Sequence, residues 1–140
     1  MLSLKIKSYK EGQQVPEFHF FVLCKGDNSG RPSLKPNANC FIVSAATKEE
    51  ADHLFWISYA LWKGRGFHQH LRGSVIPFIT AYDYKRVLMA AYEKTTAAEQ
   101  ALDRVVAIMK ELDKKEAAAR EQIKLLGQMR QLVLRKYIPG

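Results

Sequence analysis

Hydrophobic residues are distributed along the chain in two styles. Up to about Glu93 they fall in short clusters broken by Gly, Pro and Asn, whereas from Lys94 to Tyr137 they recur at alternating spacings of four and three. Clusters bounded by turn residues predict short strands and helices, and a sustained four–three repeat predicts one long helix. Phe18-His19-Phe20-Phe21-Val22-Leu23 therefore reads as a buried strand, and Cys40-Phe41-Ile42-Val43 as a second. Lys25 to Pro32 between them is a loop, punctuated by Gly26, Asn28, Gly30 and Pro32.

Thr47-Lys48-Glu49-Glu50 has the form of a capping box, with the Thr47 hydroxyl accepting from the Glu50 amide and Glu50 reaching back to the cap. A helix should follow, with Ala51, Leu54, Phe55, Ser58, Leu61 and Trp62 inward, and end at Gly64. Phe67 to Leu71 looks like one more helical turn. Val75-Ile76-Pro77-Phe78-Ile79 reads as a short strand that Pro77 makes an edge or an irregular one. Thr80 to Lys85 suits a capped turn, with Thr80 and Asp83 at capping-box spacing. Val87 to Ala91 is compatible with either strand or helix.

The four–three repeat in the tail comprises Ala98, Leu102, Val105, Met109, Leu112, Glu116, Ala119, Ile123, Leu126, Arg130, Val133 and Tyr137. Only Glu116 and Arg130 are charged, so the seam is that of a coiled coil. A helix of this length reaches roughly 60 Å, more than a small head can cover, and so needs a partner helix. That partner comes from this chain folded back or from another chain. The predicted fold class is α+β. Residues 1–93 form a small mixed head with a few strands and one or two helices, and residues 94–140 a long coiled-coil-like helix.

Composition narrows the function classes. Among 140 residues, 47% are hydrophobic and 26% charged, which excludes wholesale disorder. No apolar run approaches a membrane span and the first residues contain no secretory core, so a cytoplasmic protein without a membrane is expected. Two cysteines, Cys24 and Cys40, are too few for a disulfide scaffold and read as buried thiols.

The net charge of +8 permits a polyanionic partner. Its most basic window is Lys63 to Arg86, where Lys63, Arg65, Arg72, Lys85 and Arg86 face Asp83 alone, 5 − 1 = +4. These side chains, with His68 and His70, either keep the surface solvated or neutralise phosphates. Asn28, Ser29, Arg31, Lys35 and Asn37 supply the donors that phosphates and base edges need.

Catalytic and cofactor patterns are missing. His68 and His70 lie two apart, so a helical segment would turn them to different faces, and no third metal ligand lies near in sequence. Gly26 to Arg31 lacks the Gly-Lys-Ser/Thr ending of a phosphate loop, and Ser74 lacks a nucleophile elbow. Neither a cofactor nor enzymatic activity is expected.

Phe55 to Trp62, Phe67 to Leu71, Gly73-Ser74-Val75-Ile76-Pro77-Phe78-Ile79 and the Glu99-Gln100 pair opening a Leu-rich helix carry a resemblance. Over roughly residues 38–137 the chain resembles the target-recognition domain and conserved helix of type I restriction–modification specificity subunits. Asn39-Cys40-Phe41-Ile42 and Gly73 to Ile79 are also similar to small proteins of Bacteroides-type genomes, a likeness that implies no activity. The first resemblance implies a half-subunit that recognises double-stranded DNA without catalysis and lends specificity to methyltransferase subunits. It would become a homodimer through Leu102, Val105, Met109, Leu112, Ala119, Ile123, Leu126 and Val133. The alternative is a protein–protein assembly or scaffold module of a phage or mobile element, with no specific DNA binding.

Overall fold

The two aromatic–aliphatic clusters pair as expected. In the computed structural model, which describes residues 3–96, 99–138 and 140, β2 (His19–Leu23) and β4 (Cys40–Ser44) are antiparallel, with Phe21 opposite Ile42. Two short strands that the hydrophobic pattern does not announce complete the sheet. They are β1 (Lys5–Ser8) along β4 and β3 (Pro32–Ser33) along β2, giving the antiparallel order β1-β4-β2-β3. β1 is mostly polar and exposed, and β3 is two residues long, so neither leaves a periodic signal.

Both faces of the central strands are covered, which explains runs of consecutive apolar residues rather than alternation. Phe20 packs edge-on against Phe55 of α1 (Lys48–Lys63), and Phe41 meets Tyr84 of α2 (Ala81–Thr96) with the rings tilted at 45°. On the other face Phe21, Cys40 and Ile42 form a small cluster closed by Tyr9, whose ring meets Phe21 at 5.2 Å.

The helix starts follow their caps. The Glu50 amide donates to the Thr47 hydroxyl at 3.2 Å, but the return contact differs from expectation: Glu50 Oε2 is buried with no hydrogen-bond partner. Ala51, Leu54, Ile57 and Ser58 form the buried face of α1, while Phe55, Leu61 and Trp62 are half-buried. The Asp83 amide donates to Thr80 Oγ1 at 3.1 Å at the start of α2, and that helix takes in Val87 to Ala91.

Val75 to Ile79 is not a strand. Phe78 alone makes isolated bridges to Lys25 and Arg72, and Val75 and Ile76 are exposed. Gly73 at φ +98° turns the chain and Pro77 has no amide to extend a ladder. His68–His70 is a single 3₁₀ turn. Lys94–Thr96 close α2, and α3 runs Glu99–Tyr137. Ala97 and Ala98, the first seam residue among them, lie outside the described residues. The chain divides into two compact units, Met1–Glu99 and Gln100–Gly140, so the architecture is mixed α+β with a long C-terminal helix.

A buried hydrogen-bond relay joins the first unit's helices to its loop. Tyr84 Oη donates to Ser58 Oγ at 2.8 Å, and Ser58 Oγ donates to the Gly30 carbonyl at 3.1 Å. Tyr84 and Ser58 are fully buried, and burial raises the Tyr84 phenol well above its ordinary pKa, partly offset by the Ser58 bond. Gly30, at φ +99°, leaves no room for a Cβ, which would lie 2.2 Å from Phe67 Cδ2. Ser58→Ala strands both the phenol and the carbonyl and should cost about 1–3 kcal/mol in urea denaturation. Tyr84→Phe leaves the Ser58–Gly30 bond intact and should cost roughly 1 kcal/mol.

Candidate nucleic-acid interface

The end of α1 and the β2–β3 loop meet around a cavity of about 450 Å³ lined by Asp27, Asn28, Ser29, Trp62, Lys63, Arg65, Phe67 and His68. The loop is held in shape by Ser29, whose amide and hydroxyl both donate to the Gly26 carbonyl, at 3.2 and 2.7 Å. Phe67, buried, packs on Tyr84 with ring centroids 5.2 Å apart, so the cavity wall is part of the core.

Arg65 enters this site through an unusual backbone. The Gly66 amide donates to Leu61 O at 2.7 Å and the Arg65 amide to Trp62 O at 3.1 Å, the paired bonds of a Schellman ending. In that motif the residue after the cap is left-handed, and here it is Arg65 (φ +59°), the one non-glycine with positive φ among the described residues. Glycine is the usual occupant, so an arginine there carries strain of roughly 1–2 kcal/mol and places a guanidinium at the cavity. Arg65 Nη2 lies 3.2 Å from His68 Nε2 and donates to it in the tautomer that carries its proton on Nδ1.

Two further cations surround Trp62. Lys63 Nζ stands 5.0 Å from the ring centroid and Arg31 Cζ 5.3 Å. Thus Asn28, Ser29, Lys63, Arg65 and His68 of the expected DNA-contacting residues line one cavity, and Arg31 packs on its aromatic wall.

The other basic residues go elsewhere. Asp83, with a side chain only 6% exposed, binds Arg72 (Nε at 3.0 Å, Nη2 at 3.0 Å) and Arg86 (3.4 Å). Arg86 Nη2 also lies 3.4 Å from His70 Nδ1. Burial pushes the Asp83 carboxyl up, but the Arg72 hydrogen bond and charge, with Arg86 and Thr80, outweigh it and leave the pKa lowered. Lys85 is exposed on α2 and Lys35 exposed beyond β3; neither lines the cavity.

Among the described residues no three His, Cys, Asp or Glu side chains come together as a metal site. The Cys24 thiol is raised in pKa by burial and by nearby Cys40, which disfavours a thiolate. His19 Nδ1 donates to the Pro16 carbonyl at 2.6 Å.

Asp27, Trp62 and Phe67 are the lining residues to which the sequence pattern assigned no site role. The legible signal was Lys63-Gly64-Arg65-Gly66, a basic helix end with two glycines, opposite a loop bracketed by Gly26 and Gly30.

On α3, Leu102 is buried and Met109 half-buried, while Val105, Leu112, Ala119, Ile123, Leu126 and Val133 are exposed. Glu116, a charged seam position, is bridged by Arg120 at 2.7 Å one turn on. No helix of the described residues is long and apolar enough to cross a membrane.

These features describe a small α+β head with a cationic, aromatic-walled cavity, continuing into a long helix. The chain belongs to DUF6943, a family of unknown function whose model matches residues 6–136. No curated protein and no solved structure matches it.

Two substitutions separate site from scaffold. Arg65→Gly should leave stability unchanged or raise it by up to about 1 kcal/mol, since glycine relieves the left-handed strain at some cost in unfolded-chain entropy. Arg72→Ala should lower the thermal midpoint at neutral pH by removing the nearer of the two guanidinium groups beside Asp83. Because the folded pKa of Asp83 is lowered, its contribution is present above the ordinary carboxylate pKa and lost as pH falls through the folded value. The deficit of Arg72→Ala, followed by circular dichroism melts, should therefore shrink in acid.

Proposed function

We propose that this protein is a non-enzymatic, cytoplasmic DNA-recognition module that dimerises through α3. The observation that carries the reading is the meeting of Asn28, Lys63, Arg65 and His68 around one cavity, with Arg31 alongside. These groups come from a loop and a helix end far apart in sequence. Together they offer cations for phosphates, an amide for base edges and an aromatic wall. The strained backbone of Arg65 supports the same reading, because strain persists where the surrounding structure holds it in place and clusters at functional sites.

The dimer rests on the exposed apolar positions from Val105 to Val133 of α3. A helix of 39 residues, about 58 Å long, gains its stability chiefly from packing an apolar face, and a second copy supplies a matching one. Two heads on one paired helix can read two half-sites at a fixed spacing, which is the arrangement that specificity subunits for methyltransferases use. The same exposed face also favours the second reading, an assembly module whose α3 binds a different protein and whose DNA affinity is incidental.

Lys63→Ala with Arg65→Ala should weaken DNA binding by at least about tenfold and reduce the salt slope by roughly 2, one for each phosphate no longer neutralised. Fluorescence anisotropy across a salt series reads both; unchanged affinity and slope would remove the DNA reading. Leu112→Asp with Ile123→Asp should bring the light-scattering mass of a dimer down to the single chain's 16.0 kDa. A wild-type chain already at that mass would contradict dimerisation.

A further inference from the structure

Asp27 is a feature of the cavity that phosphate binding does not account for. A carboxylate beside Lys63 and Arg65 repels a phosphate and weakens a purely electrostatic landing site. It sits next to Asn28 on a turn fixed by the Ser29–Gly26 bonds and by the Arg31 amide donating to Asn28 O at 3.1 Å. Asp27 and Asn28 thus line the cavity side by side on a hydrogen-bonded turn: the Asp27 side chain is acceptor-only, and that of Asn28 both donates and accepts.

This pair matches an edge with two neighbouring N–H donors and a carbonyl beside them. The Watson–Crick edge of guanine has that order: N1–H and the N2 amine lie side by side and O6 follows. Adenine and cytosine present one exocyclic amine beside an acceptor nitrogen, which leaves part of the carboxylate unmatched. The remaining walls fit the rest of a nucleotide. Trp62 adds an aromatic wall whose ring already has Lys63 and Arg31 over it, and Lys63 and Arg65 offer charge for the phosphate. About 450 Å³ lies within the range of small-ligand cavities and is larger than a phosphate contact needs.

We propose that the cavity takes a guanine nucleotide with an unpaired base, Asp27 accepting from N1–H and N2–H and Asn28 donating to O6. This rests on the reading of the cavity as the nucleic-acid site and names the unit that enters it. In a duplex that edge is engaged by cytosine, so the guanine must come from a single strand, from an extruded position or from a free nucleotide.

The chain has two tryptophans, so Trp56→Phe leaves Trp62 as the sole tryptophan emitter. In that background the full-length protein is titrated with GMP, AMP and CMP, with guanine-bearing and adenine-only single strands, and with a duplex. GMP or the guanine single strand should perturb Trp62 emission with at least tenfold tighter binding than its adenine counterpart. A response to GMP identifies a free-nucleotide site, and a response to the oligonucleotide alone identifies a polymer site; each supports the proposal.

Asp27→Asn should lose at least tenfold for guanine and gain for xanthosine monophosphate, whose 2-carbonyl accepts from the new amide. If Asp27→Asn instead strengthens guanine binding, the carboxylate merely repels phosphate and the proposal is wrong. Duplex binding with no response of Trp62 to GMP or to the guanine strand overturns this inference and leaves DNA recognition standing. Absence of binding to every nucleic acid overturns both.

Discussion

The head depends on one buried polar contact, the relay from Tyr84 through Ser58 to the Gly30 carbonyl. It joins α2, α1 and the β2–β3 loop, three segments far apart in sequence. A buried hydroxyl without a partner costs more than the bond itself contributes, so the relay acts mainly by penalising every arrangement that breaks it. Gly30 adds a steric condition, since only a residue without a Cβ fits against Phe67. The loop carrying Asp27 and Asn28 is thereby held against the end of α1 that carries Lys63 and Arg65.

The positive charge divides into two populations with different surroundings. Arg72 and Arg86 surround the buried Asp83 carboxylate, and their removal acts on the fold. Lys63, Arg65 and Arg31 gather at Trp62 and the cavity, where the proposed binding would use them. Arg65 is the clearest case, because its left-handed backbone is a cost to the fold that a glycine would relieve. His68 and His70 separate along the same line, one beside Arg65 and the other beside Arg86.

Much of this was legible in the sequence where local chemistry decides it. The Thr47 and Thr80 caps, the helix end at Lys63-Gly64, and the strands at Phe20 and Phe41 follow from side-chain chemistry and apolar runs. The strands β1 and β3 escaped because they are held by pairing with neighbours, and neither Lys5–Ser8 nor Pro32–Ser33 has a pattern of its own. Val75 to Ile79 misled because its composition is strand-like while Gly73 and Pro77 prevent a ladder. The charge count put Arg72 with Arg65, and only tertiary structure shows Asp83 claiming the first. Asp27 was invisible as a site residue because a lone carboxylate in a glycine loop has a solvated surface as its simplest meaning.

The proposed nucleic-acid site is the cavity between the β2–β3 loop and the end of α1. The most direct measurement is an amide and indole NMR titration of the ¹⁵N-labelled protein with a short oligonucleotide. Binding at the cavity should put the largest shifts on Asn28, Lys63, Arg65, His68 and the Trp62 indole, with the Arg72–Arg86 segment little changed. Shifts centred on Arg72 to Arg86 or along α3, with the cavity silent, would contradict it.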